Sequence, residues 1–434
     1  MQLNALKAAV AGAFMMLGMS SMAATAPAPD PFYQYTDSTP LSSIQPGTVL
    51  KTRTVQYRIM GLPLPLKAVQ LLYRSTDALS RPSVNVTTVI KPNCLLCLNR
   101  NKVISYQSLY DSLNPDDSPS RAIAGGRRLT DIVPGFETVL FAPFLIQGYT
   151  IIVPDTEGQT ANFAVGPVEG YNTLDSLRAA MRSPDTGING DAKVAMVGYS
   201  GGSIGTEWAA ELAPGYAPEL KKNLIGAAFG GALVYPEHNL GYIEGRPMWG
   251  GVAGMAFIGI ARAYDLDITK YLSDKGLAVY DKMRNQSIIN VLFQYPDFYW
   301  KDIVKPEYWN RAAIPEYVRN SNKLIMGTGG TPNIPLLIVQ GTAGEVEATP
   351  ASPVYGKGDG VMLAGDVRTL ARQYCAKGVP VLHKEYALSH FGTSTTWLAK
   401  TVTWVNDRFS GKTPQQNCAD IEPGNSLEPM VYAP

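Results

Sequence analysis

Short apolar runs bounded by turn formers alternate with segments of helical periodicity along most of this chain, and that alternation limits the fold more than anything else. Strand-like runs stand at residues 49–58, 67–75 and 83–91, then at 102–107, 149–155, 193–198, 335–340 and 379–386. Helical patterns lie partly within 128–147, then at 171–181, 205–212, 367–376 and 393–409. Strands alternating with helices read as βαβ units, hence an α/β fold whose mostly parallel sheet carries helices on both faces. From about 222 to 333 the strand runs vanish, and Gly, Tyr, Trp and Pro accumulate among helical stretches. That segment reads as a helical insertion, so one core is expected in two parts, residues 24–221 and 334–434, interrupted by a cap at 222–333.

The chain opens with one lysine, an apolar run over residues 8–18, and small residues up to Ala23-Ala24. That is the pattern of a secretory signal peptide over residues 1–23, giving a secreted or periplasmic protein. Export permits disulfides. Four cysteines pair in three ways; Cys375–Cys418 is favoured because it would pin the C-terminal tail to a late helix, leaving Cys94–Cys97 as a small loop. A redox reading of Cys94 and Cys97 lacks thioredoxin-like context, and a zinc reading lacks a second pair. The formal net charge of +1, with 17% charged residues, offers no basic surface for nucleic acid. With only three histidines a multi-histidine metal centre is nearly excluded, and no cofactor is expected.

The strand at 193–198 runs into Gly198-Tyr199-Ser200-Gly201-Gly202 and then a helix. This is G-x-S-x-G in the strand–turn–helix setting of a nucleophile elbow. The turn is tight, so bulky neighbours would clash, and the helix N-terminus brings backbone N–H groups beside a developing oxyanion. Ser200 is therefore the candidate nucleophile. Among the histidines, His238 falls in the insertion, and His383 lies inside a strand. His390 follows the last strand on a loop, where the general base of such a fold belongs. The acid should follow the strand at 335–340. Glu345 comes soonest, Asp366 stands where a helix N-cap belongs, and Asp359 sits in the flexible turn Gly358-Asp359-Gly360. Asp359 ranks first and Glu345 second; Asp155 reads as structural.

With these residues in place, the chain resembles the secretory lipases related to lipase A of yeast origin. The resemblance rests on Ser105-Tyr-Gln107 with Asp111-Ser112, and on Gly148-Tyr149 with Pro154-Asp155-Thr-Glu157-Gly158. It continues through Glu169-Gly170 with Leu174-Asp175 and Arg178, Gly198–Gly202, and Cys375-Ala-Lys-Gly378. It implies an α/β-hydrolase fold, a Ser–Asp–His triad, a helical cap and hydrolysis of carboxylic esters, often acylglycerols. Asp111 stands at the family's oxyanion-loop aspartate, and its N–H would partner that of Gly201. One departure is visible. The family carries Asp-Glu directly after the acid's strand, where this chain has Gly344-Glu345. Aligning back from Cys375 puts Asp359 on the family's aspartate and makes residues 345–357 an insertion.

The expected protein is thus an exported serine ester hydrolase, a monomer touching lipid interfaces transiently. Met248, Trp249, Met255, Phe257 and Ile258 would form an apolar cap over the site. A serine peptidase or acyltransferase on the same fold, or an inactive hydrolase-like binding protein, is the alternative.

Overall fold

The computed structural model describes residues 30–93, 99, 101–126 and 132–433. The expected signal peptide and the Cys94–Cys97 pair lie outside them. Among the described residues nine strands form one sheet: β1 (Val49–Ile59), β2 (Leu62–Thr76), β3 (Pro82–Ile90), β4 (Lys102–Gln107), β5 (Thr150–Pro154), β6 (Lys193–Tyr199), β7 (Leu224–Gly230), β8 (Leu336–Gly341) and β9 (Val381–Tyr386). Their order is β1-β2-β3-β5-β4-β6-β7-β8-β9. The first three strands and the β3–β5 pair are antiparallel, and every pair from β5 onward is parallel.

Among the described residues twelve α-helices surround the sheet: α1 (Pro119–Ala124), α2 (Ile132–Ile146), α3 (Gly166–Arg182), α4 (Gly201–Tyr216), α5 (Pro236–Ile243), α6 (Gly250–Ala263), α7 (Asp274–Met283), α8 (Ile288–Val291), α9 (Trp300–Ile303), α10 (Pro315–Asn322), α11 (Ala364–Ala376) and α12 (His390–Phe409). The parallel strands are apolar at consecutive positions because both faces are covered. Val194 and Met196 pack with Leu177 of α3, Trp208 of α4 and Leu370 of α11. Ala195 and Val197 point the other way, toward Phe144 of α2 and Trp397 and Trp404 of α12.

One expectation fails here. Residues 224–230 fall inside the segment read as strand-free, yet they form β7, paired with both β6 and β8. Leu-Ile-Gly-Ala-Ala-Phe-Gly holds a single β-branched residue, and Gly and Ala are poor strand formers. Small residues are needed because α12 packs closely: a Cβ on Gly226 would lie 2.5 Å from the Trp404 ring. Between β7 and β8 the chain is helical, from α5 to α10. The Cys375–Cys418 bond is present, with Cα atoms 5.6 Å apart, and it ties the end of α11 to the tail. Among the described residues no helix is long and apolar enough to cross a membrane.

Candidate active site

Ser200 occupies the junction between β6 and α4 with φ 55° and ψ −124°, a conformation that non-glycine residues rarely hold. Its N–H donates to the Gly230 carbonyl at 2.9 Å, so β7 anchors the turn. The flanking glycines follow from space. A Cβ on Gly198 would lie 2.1 Å from the Gly202 carbonyl oxygen, and one on Gly202 would lie 2.1 Å from that of Gln107.

His390 is the first residue of α12, whose N-cap Ser389 accepts the Gly392 N–H. The imidazole Nε2 is 2.7 Å from Ser200 Oγ, and Nδ1 is 2.8 Å from Asp359 Oδ2. The His390 backbone is fixed as well: its N–H donates to the Asp359 carbonyl at 2.7 Å, and the Tyr199 hydroxyl donates to its carbonyl at 2.6 Å. Asp359 is fully buried, and its carboxylate also accepts Gln340 Nε2 at 3.0 Å and the N–H groups of Val361 and Met362 at 3.1 and 2.8 Å. Burial disfavours the His390 imidazolium, but the carboxylate of Asp359 and then that of Glu347 outweigh it and hold its pKa above the ordinary value, with Asp111 adding to this only once it ionises.

Neither Glu345 nor Asp366 is hydrogen-bonded to the His390 imidazole, whose partners are Asp359 and Ser200. Glu345 is exposed in the turn after β8. Asp366 lies inside the first turn of α11, where Leu363 is the N-cap, and it bonds to Asn425 and His238. His238 is accordingly a packed residue of α5, between the rings of Tyr235 and Tyr355. His383 pairs with Glu385 on β9 at 3.0 Å. Asp155 binds Ser120 through its N–H and hydroxyl at 2.9 and 2.6 Å, a buried brace between β5 and α1.

Asp111 lies against the elbow at Gly201. Its φ is 35°, and its carboxyl rests on Gly201, where a Cβ would sit 1.6 Å from Oδ1. Burial, then the neighbouring Glu137, raises its pKa to about 8, against the pull of His390. Ser200, Gly201 and Asp111 open onto a cavity of about 1060 Å³, counted with its mouth. Its walls are apolar and include Trp249, Val252, Ala256, Phe257 and Ile260. Met255, expected among them, is fully buried on the opposite face of α6, and Met248 and Ile258 also lie off the lining. The apolar composition of α6 drew the expectation, but helical phase divides it into a cavity face and a core face. Sequence reasoning missed Glu347. This buried residue accepts the Trp249 indole N–H at 3.1 Å and the Phe391 N–H at 2.9 Å beside the imidazole. Among the described residues no group of three or more His, Cys, Asp or Glu side chains could hold a metal.

A family profile described as secretory lipase matches residues 126–417, a span that contains Ser200, Asp359 and His390. The chain belongs to the secretory lipase family. It is 32% identical to Lipase 2 of Candida albicans over 398 residues, which cover 87% of this chain and 80% of that protein. Its fold matches the closed state of Candida antarctica lipase A with TM-score 0.78 and 25% identity, covering 92% of this chain and 89% of the other. A 28% identical relative from Mycobacterium tuberculosis, matched over 94% of this chain and 88% of its own, carries the name probable inactive lipase. The chain is therefore a lipase-like hydrolase of the α/β-hydrolase fold, acting on small-molecule esters, and its family is one of exported proteins.

Proposed function

We propose that this protein hydrolyses carboxylic esters with apolar acyl chains, acylglycerols among them, through an acyl-enzyme on Ser200. The observation that carries the reading is the continuous hydrogen-bonded relay from Ser200 Oγ through His390 to Asp359, opening on an apolar cavity. His390 Nε2 takes the Ser200 proton as Oγ attacks the ester carbonyl, while Asp359 holds the Nδ1–H tautomer and stabilises the imidazolium. The N–H groups of Gly201 and Asp111 receive the oxyanion. His390 then protonates the departing alcohol, and water, activated by the same imidazole, releases the acid.

The Asp111 side chain must be neutral for this chemistry, because a carboxylate there would repel the oxyanion and hold its own N–H. A pKa of about 8 keeps it protonated at neutral pH. The helical segment between β7 and β8 acts as the cap, with Trp249 and Phe257 against the acyl chain. Residues 1–23 direct export and are removed, and the mature protein works as a monomer that touches lipid interfaces transiently.

The test is hydrolysis of p-nitrophenyl esters over a range of acyl lengths, with emulsified triglyceride and peptide anilides in parallel. Ester turnover that Ser200→Ala abolishes is the expected result. Strong amidase activity with negligible esterase activity, or no turnover of any ester, contradicts the reading.

A further inference from the structure

Glu347 lies in the segment 345–357, the stretch read from the sequence as an insertion ahead of Asp359. A carboxylate in a surface insertion would ordinarily face water, but this one is 8% exposed. Oε1 accepts the N–H of Phe391, the residue after His390, at 2.9 Å. Oε2 accepts the indole N–H of Trp249 at 3.1 Å, and the Ser389 hydroxyl also bonds to the carboxylate. Trp249 belongs to the helical cap segment, at the N-cap of α6. Its ring stacks on Phe391 with centroids 5.5 Å apart and turns its edge toward His390 at 5.4 Å. One carboxylate thus joins three things: the insertion, the cap, and the turn that carries the imidazole.

The neighbouring backbone is shaped around this bond. Gly360 holds φ +131°, and a Cβ there would lie 2.7 Å from Glu347 Oε2 and 3.1 Å from Trp249 Nε1. The glycine after Asp359 therefore leaves room for the Glu347–Trp249 contact. The groups facing His390 are the carboxyls of Asp359, Glu347 and Asp111, the rings of Tyr199 and Trp249, and Phe391. The cation that Glu347 faces is the His390 imidazolium itself. Burial pushes the Glu347 carboxyl up; His390, the Phe391 N–H and Ser389 draw it back toward the charged form.

We propose that Glu347 is a positioning residue for the hydrolytic reaction: a second carboxylate, supplied by the insertion, that locks Trp249 of the cap onto the His390 turn and stabilises the imidazolium. It rests on the reading of His390 as the base. Asp359 orients Nδ1 directly, whereas Glu347 acts across the ring and through the adjacent backbone. The same carboxylate thus serves both the contact with the cap and the support of the imidazolium.

Two readouts on the whole protein test this: the titration of the His390 imidazole by NMR, assigned by its absence in His390→Ala, and the pH profile of kcat/KM. Removing a negative charge from beside an imidazolium lowers the imidazole pKa. In Glu347→Gln both the titration and the acid limb should therefore move to lower pH, by about one unit. Glu347→Asp should restore part of the shift. Trp249→Phe, which keeps an aromatic ring, though a smaller one, and loses the N–H, should move both in the same direction by less, and it carries the test if the Gln variant does not fold. Unmoved titration and acid limb in folded Glu347→Gln or Trp249→Phe overturn the proposal. A His390 titration that moves as expected in a protein with no ester turnover at any pH overturns the hydrolase reading and leaves the Glu347 placement standing.

Discussion

Two buried aspartates flank the elbow, and their surroundings differ in kind. Four donors converge on the Asp359 carboxylate: His390 Nδ1, Gln340 Nε2 and two backbone N–H groups. Asp111, against Gly201, faces carboxyls instead. Burial, and after it Glu137, raises its pKa to about 8; burial, and after it Asp111, raises those of Glu157 and Glu169. One aspartate is ringed by hydrogen-bond donors and the other by carboxyls. Residue type does not separate these roles; the count of donors and the sign of the neighbours do.

The comparison can be broken in several places. Asp359→Asn keeps the shape but loses the charge and the tautomer control, and turnover should fall by about 10⁴-fold in a steady-state ester assay. Glu345→Ala, in contrast, should stay within about twofold, since that residue faces solvent; a collapse there would restore it as the acid. On the other side, activity should decline as pH rises through about 8, where Asp111 ionises. Asp111→Asn should remove that alkaline limb. Glu137→Gln should move the limb to lower pH, because it deletes a charge that raises the Asp111 pKa.

The smallest expected effect is on stability. Asp155, Glu137 and Asp111 have folded pKa values raised to about 6, 7 and 8, each chiefly by burial. The folded state therefore binds more protons than the unfolded chain above the ordinary carboxylate range. Their contribution is full below that range and is lost as pH rises through 6 to 8. Tm by calorimetry should thus fall from pH 5 to pH 9, and Asp155→Asn should flatten part of that slope.

Much of this arrangement was legible in the sequence, and the exceptions share a cause. The strand at β6 and the Gly-Tyr-Ser-Gly-Gly turn depend on local pattern, and each lies where the pattern put it; His390, expected on a loop, is instead the first residue of α12, because Ser389 caps that helix. Asp359 could be ranked because a turn of two glycines around an aspartate, and the spacing back from Cys375, pointed to it. β7 was hidden because close packing against Trp404 selects small residues that carry no strand signal. β2 begins earlier than expected, at Leu62, because Pro63 and Pro65 disguise its first residues. Met255 and Glu347 were misjudged or missed because helical phase and burial of an inserted loop are tertiary facts. No local spacing marks a glutamate that will end beneath a tryptophan 98 residues away.

Hydrolysis through an ester on Ser200 requires that this ester accumulate or turn over on the protein. The direct measurement is rapid acid quench of the protein during turnover of a p-nitrophenyl ester, followed by peptide mass spectrometry. One acyl group on the peptide containing Ser200, formed at the rate of the p-nitrophenol burst and absent from Ser200→Ala, is the predicted result. Undiminished turnover in Ser200→Ala, or an acyl group that maps to another residue, would contradict it.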